Sequence, residues 1–253
     1  MKFNLTSNYQ QQNHYEIERK FKFDPQKLAQ LETNNGPNKF DSLKFLSRKS
    51  FTDIYYDNQD SNYPLTSQDI WLRQRDNKWE CKTPMNLTNS MDSYHELETA
   101  NEISDFLKRT LLPNKNIIAN ATLSPEFLFT TYNLTPFCKI HTTRDRYLIN
   151  EEFTMDLDKA DFGHYVGEIE LIVESKDEVN EAEKKIALFM KENDWFFDTS
   201  EIAVSKLIAY IENFNRKQWA YLEDSGVLGK KLNPERLNGK LNKAESYYQT
   251  SCQ

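Results

Sequence analysis

Nine residues near the start of the chain, Tyr15-Glu16-Ile17-Glu18-Arg19-Lys20-Phe21-Lys22-Phe23, alternate between charged and apolar side chains. A period of two belongs to a β-strand, whose successive side chains point to opposite faces. Glu16, Glu18 and Lys20 therefore share one face, while Tyr15, Ile17, Phe21 and Phe23, with Arg19 among them, take the other. Taken alone, such a strand turns its polar face to water. What constrains the fold is recurrence. Trp71, Arg73 and Arg75 line up in the same way, as do Glu80 with Lys82, Tyr94 with Glu96 and Glu98, Arg144 with Arg146, and Asp156 with Asp158. Glu168 and Glu170 repeat the opening logic, with Ile169, Leu171 and Val173 on the opposite face.

In an ordinary sandwich each strand could choose its solvated charges freely. Here the strands divide into carboxylate pairs and cationic positions, and their opposite faces are apolar enough to be covered by helices. A barrel with a packed outside and a charged interior accounts for both facts. Strands are expected near residues 49–57, 70–76, 78–83, 93–99, 137–141, 144–150, 153–157 and 163–174, and helices after Asp24-Pro25 and over 102–112, 124–132, 178–193 and 200–214. That order reads as an α+β domain on a mostly antiparallel sheet, and the charge pattern suggests that the sheet closes.

Clustered carboxylates suit hard divalent cations, and Mg²⁺ in particular takes few protein oxygens together with waters and phosphates. Arg and Lys facing the same cavity match a polyphosphate, since guanidinium forks bind phosphate oxygens bidentately. Such a site needs no glycine loop. The chain has 6 glycines and neither a GxxxxGK[ST] nor a GxGxxG pattern, which excludes P-loop and Rossmann chemistry. No GxSxG elbow is present, and Ser205 falls within an expected helix. His14, His95, His141 and His164 form no metal-spaced pair, and Cys81 reads as a small apolar residue on the outer face.

A net charge of -7 argues against a sequence-blind nucleic-acid binder. Cys81, Cys138 and Cys252 are far apart and fit neither a disulfide framework nor a zinc site. No stretch is long and apolar enough for a membrane span, so the expectation is a soluble, cytoplasmic protein with no nucleic-acid or membrane partner. Residues 1–13 read as a flexible arm, 14–222 as the domain, and 223–253 as a basic, disordered tail.

Several stretches then acquire meaning together: the opening Glu16-x-Glu18-x-Lys20; Tyr55-Tyr56-Asp57; Asp69-Ile70-Trp71-Leu72-Arg73-Gln74-Arg75; Trp79-Glu80-Cys81-Lys82; Tyr94-His95-Glu96-Leu97; Met155-Asp156-Leu157-Asp158; Val166-Gly167-Glu168-Ile169-Glu170; and Ser205-Lys206-Leu207. In this order they resemble the motifs of the animal thiamine triphosphatases in the CYTH superfamily, the triphosphate tunnel metalloenzymes. The resemblance runs from about Tyr15 to Leu222.

That resemblance implies a closed eight-stranded antiparallel β-barrel, the triphosphate tunnel, with helices packed outside and a C-terminal helix contributing to the tunnel. It implies hydrolysis of the terminal phosphoryl group by a monomer with Mg²⁺, for which Mn²⁺ could substitute. The substrate would be a small molecule, thiamine triphosphate or inorganic triphosphate. Lys20, Arg73, Arg75, Lys82, Arg144 and Lys206 would bind the triphosphate; Glu16, Glu18, Asp156, Glu168 and Glu170 would hold the metal or orient water, with Glu96 supporting them. Lys20, Lys82, Glu168 and Glu170 would be the catalytic set. Trp71, beside the arginine pair, resembles the thiamine-specific branch, where it can face the cationic thiazolium; packing on a neighbour is the other reading. A broader inorganic or nucleoside triphosphatase, or a polyphosphate-binding module without turnover, remain the alternatives.

Overall fold

The computed structural model describes residues 15–84, 94–112, 123–198 and 203–231. The expected arm at 1–13 lies outside these residues, as does the tail beyond residue 231. Eight strands form one sheet: β1 (Tyr15–Phe21), β2 (Leu43–Asp57), β3 (Trp71–Arg75), β4 (Lys78–Pro84), β5 (Tyr94–Leu97), β6 (Thr135–Ile149), β7 (Phe153–Ala160) and β8 (Tyr165–Val173). Their order is β1-β8-β7-β6-β2-β3-β4-β5, and β1–β8, β2–β3, β3–β4 and β4–β5 pair antiparallel.

Closure is the expectation that needs correcting. Among the described residues β1 and β5 are the two ends of the sheet and do not pair. A barrel needs its first and last strands to exchange a ladder, and β5, four residues long, bonds to β4 alone. The rest of the architecture agrees: α+β, antiparallel, with helices packed on the sheet.

The chain divides into two compact units, each assembled from separate segments. The first takes residues 1–47, 145–157 and 166–203. Its helical elements are a 3-10 turn at Pro25–Lys27 continuing into α1 (Leu28–Glu32), and α4 (Val179–Glu192). The Asp24 carboxylate accepts the Gln26 N–H and Pro25 opens the turn, as the Asp-Pro pair leads one to expect. Phe21 meets Phe197 edge-on at 4.7 Å and Phe153 stacks on Phe189 at 4.3 Å. Gly167 pairs with Phe21 across β1 and β8, and a Cβ there would lie 2.1 Å from the Phe21 ring. Only glycine lets that ring lie against β8.

The second unit takes residues 48–144, 158–165 and 204–253. On one face of its strands, α2 (Ala100–Leu111) and α3 (Pro125–Tyr132) cover Tyr56, Leu72, Trp79, Cys81 and Leu97. Thr99 and Glu102 close a capping box on α2, and Ser124 caps α3. Cys81 is fully buried there, and burial pushes its thiol up to about 12. The opposite face carries the charged residues and, beside them, an apolar cluster of Tyr55, Trp71, Cys138 and Ile140. That cluster is covered by α5 (Lys206–Phe214), α6 (Arg216–Asp224) and α7 (Val227–Lys231). Residues 223–231 thus depart from the expected tail, because Val227 and Leu228 follow Gly226 as an apolar pair and are buried in this core.

Candidate active site

Among the described residues, each unit carries a cluster of charged side chains. In the first unit, β1 and β8 pair so that Glu18 faces Glu170 and Lys20 faces Glu168. This register follows from the two Glu-x-Glu-type repeats running antiparallel, each with its apolar alternates on the other face. Carboxylate oxygens of Glu18, Glu168 and Glu170 lie within 4.8 Å of one another. Lys20 Nζ donates to Glu18 at 2.5 Å and lies 3.5 Å from Glu168. Arg146 grips Asp156 bidentately, at 2.6 Å through both Nε and Nη2, and reaches to 3.6 Å from Glu170. Four carboxylates thus share two cations in these contacts. Like charges this close are costly unless a counter-ion joins them, and three converging carboxylate oxygens are a donor set that a hard divalent cation accepts.

In the second unit, Arg73, Arg75, Arg144 and Lys206 converge on buried acids. Arg75 holds Asp53 bidentately at 2.7 and 2.9 Å, and Arg144 holds Asp158 at 2.6 and 2.8 Å. Lys206 Nζ bonds to the same Asp158. Arg73 Nε donates to Glu80 at 2.7 Å, and the guanidinium lies 3.7 Å from Glu96 and 3.5 Å from the Tyr55 hydroxyl. Burial alone would raise the Asp53 carboxyl, but the Arg75 hydrogen bond and the charges of Arg73, Arg75 and Lys206 outweigh it and hold it below the usual range. The Tyr55 phenol, fully enclosed, is pushed up to about 12 by burial. A guanidinium has five N–H donors, so a bidentate pair with one carboxylate does not exhaust it.

Lys82, half-buried on β4, sits opposite Trp71 on β3 and Glu96 on β5. Trp71 is buried, and its indole N–H donates to Asp69 Oδ1 at 2.8 Å, where the Tyr94 hydroxyl also donates at 2.8 Å. Asp69 adopts a left-handed backbone with φ 63°. The indole is thus fixed by a carboxylate as well as by packing.

The site residues expected from sequence therefore fall into two groups. Lys20, Glu18, Glu168 and Glu170 come together in the first unit; Trp71, Arg73, Arg75, Lys82, Arg144, Lys206 and Glu96 belong to the second. Asp156 is bound by Arg146 and is not among the three carboxylates that meet. Glu96 likewise stands at Arg73 and not with those three. Glu16 lies in β1 opposite Ile172, and its side chain is outside the described residues. Ser205 is not inside a helix: it caps α5, accepting the Ile208 N–H, and so makes Lys206 the first helical residue.

Sequence reasoning passed over Asp53 and placed Arg146 and Asp158 on charged faces without giving either a role in the site. Their alternation with Tyr55, Arg144 and Asp156 was a usable signal, since each is two positions from a residue already singled out on the same face. Buried neutralising acids are invisible to charge counting because they look like solvated ones.

Several known proteins are similar to this chain. The CYTH domain family model matches residues 14–194. Human thiamine-triphosphatase is 29% identical over 220 residues, covering 82% of this chain and 88% of the human protein. The thiamine-triphosphatase of Macaca fascicularis is 28% identical over 220 residues, with the same coverage of each chain. Among solved structures, a Pyrococcus horikoshii OT3 protein aligns with a TM-score of 0.45 at 20% identity, over 70% of this chain and 89% of its own. A Hippeastrum protein, described as a candidate adenylyl cyclase with a dominant triphosphatase activity, aligns with a TM-score of 0.45 at 17% identity, over 79% of this chain and 96% of its own.

Proposed function

The chain belongs to the CYTH domain family, and from that premise we propose that it hydrolyses the terminal phosphoanhydride of a small triphosphate, with thiamine triphosphate as substrate and Mg²⁺ as the metal. The observation that carries this reading is the meeting of Glu18, Glu168 and Glu170 within 4.8 Å. A module that only bound polyphosphate would need cations and gain nothing from three converging carboxylates, which repel the same ligand.

The roles follow from the chemistry of each group. Arg73, Arg75, Arg144, Lys206 and Lys82 bind and orient the phosphate chain through charge-assisted hydrogen bonds. Glu18, Glu168 and Glu170 fit a divalent cation, and Lys20 holds two of them in place. Bound there, the metal would neutralise charge on phosphate oxygens. A carboxylate of the same three accepts a hydrogen bond from the attacking water. The water oxygen then bonds to the terminal phosphorus as its proton passes to that carboxylate and the bridging P–O bond breaks, and the diphosphate and inorganic phosphate depart. Asp156 and Glu96 enter as the holders of Arg146 and Arg73.

Thiamine as the organic moiety is supported by the two relatives named thiamine-triphosphatase and by Trp71. A tryptophan on the same strand face as two arginines offers a π surface to a thiazolium, and its tie to Asp69 adds a nearby anion.

The test is Glu170→Gln, which keeps shape and removes one metal-binding charge. It should lower kcat with Mg²⁺ by about a hundredfold or more while leaving the affinity for inorganic triphosphate in metal-free buffer within about threefold, because the phosphate-binding cations are untouched. Normal turnover by this variant, or turnover by the unmodified protein in excess chelator, would remove the metal assignment.

A further inference from the structure

Three cations from three elements surround one phenyl ring. Phe51 lies on β2, two positions before Asp53 and four before Tyr55, on the same strand face. It is buried, 8% exposed. Arg75 of β3 places its Cζ 4.2 Å from the ring centroid, Lys206 of α5 its Nζ at 5.1 Å, and Arg144 of β6 its Cζ at 5.5 Å. All three fall within the range, about 6 Å, at which the negative face of an aromatic ring attracts a cation.

The charges explain why a ring is useful there. Like charges held this close repel each other. Asp53 takes Arg75, while Asp158 serves Arg144 and Lys206 together. A further carboxylate would relieve the repulsion, but its oxygens would compete with phosphate for the same N–H donors. An aliphatic side chain would fill the space without relieving anything. An aromatic face attracts the cations and has no anionic oxygen to offer them, so it takes up none of their N–H donors.

We propose that Phe51 is a positioning residue: its ring holds Arg75, Arg144 and Lys206 in the arrangement that receives the phosphate chain. The inference rests on the triphosphate reading above and deepens it, since it makes the phosphate affinity depend on a residue that carries no charge.

The experiment is calorimetric titration of inorganic triphosphate into metal-free protein, where the cations act alone and nothing turns over. Phe51→Leu, which keeps bulk and loses the π face, should weaken the dissociation constant about tenfold. Phe51→Tyr, which keeps the ring, should stay within about threefold. Mono-, di- and trifluorinated phenylalanine at this position drain the ring's negative face with little change of shape, and each added fluorine should weaken binding further. The fluorinated series carries the test if the leucine variant does not fold. Equal affinity of Phe51→Leu and the unmodified protein, equal losses for leucine and tyrosine, or a flat fluorine series would each overturn the inference while the triphosphate reading stands. No binding of triphosphate by the unmodified protein would overturn both.

Discussion

Asp53 shows how a single residue ties the site to the stability of the fold. Its carboxyl is almost completely buried, 1% exposed, and is held ionised by Arg75, Arg73 and Lys206. A carboxyl whose folded value lies below its unfolded one stabilises the fold above the unfolded value, and that stabilisation is lost as pH falls through the folded value. The ordinary value is 3.8, so the loss belongs to the strongly acid range. Urea midpoints measured across that range should fall more steeply for the unmodified protein than for Asp53→Asn, which has no proton to take up. Equal slopes would mean that Asp53 is not held ionised by its cations. Residues like this one were the hardest to see in the sequence. Arg73, Arg75, Glu168 and Glu170 stood out because their charges recur at a spacing of two, whereas Asp53 sits between two tyrosines and phenylalanine and looks like a lone surface acid. The tie between Trp71 and Asp69 was equally hidden, because it depends on a left-handed backbone at Asp69 that no sequence pattern announces.

At the scale of elements, Gly167 and Ser205 set the position of charged neighbours by purely local means. Adding a methyl group at Gly167 drives it into the Phe21 ring, 2.1 Å away. Gly167→Ala should therefore destabilise the protein by about 1–3 kcal/mol, read as a lower urea midpoint, and should disturb Lys20 and Glu168 next to it. An unchanged midpoint would show that the ring can turn aside at no cost. Ser205 caps α5 through the Ile208 N–H at 3.4 Å, a long bond. Ser205→Ala should cost about 0.5–1 kcal/mol and raise KM several-fold, because Lys206 occupies the first helical position. A lower stability with KM unchanged would mean that the position of Lys206 does not depend on the cap. The strands were legible because their period-two pattern is long and repeated. Two expected strands, at 137–141 and 144–150, are one continuous β6, since His141-Thr142-Thr143 contains no residue that breaks a strand. Of the helix expected over 200–214, residues 200–202 lie outside the described residues, and Ala203 and Val204 precede the helix because Ser205 is the residue that caps it.

At the scale of the whole molecule, the sequence carried the fold class, while whether the first and last strands pair was beyond its reach. Period-two patterning says which face of a strand is charged; it says nothing of which strand is neighbour to which, and closure is a property of pairing. The family model covers residues 14–194 and so takes in most of the charged strands. The measurement that tests the triphosphatase assignment most directly is phosphate release in the presence of Mg²⁺ from thiamine triphosphate, inorganic triphosphate and ATP side by side, compared as kcat/KM. The expected result is turnover that favours the thiamine compound by about a hundredfold, roughly 2.7 kcal/mol of discrimination. Release of phosphate from none of the three would contradict the assignment of this chain as a triphosphatase.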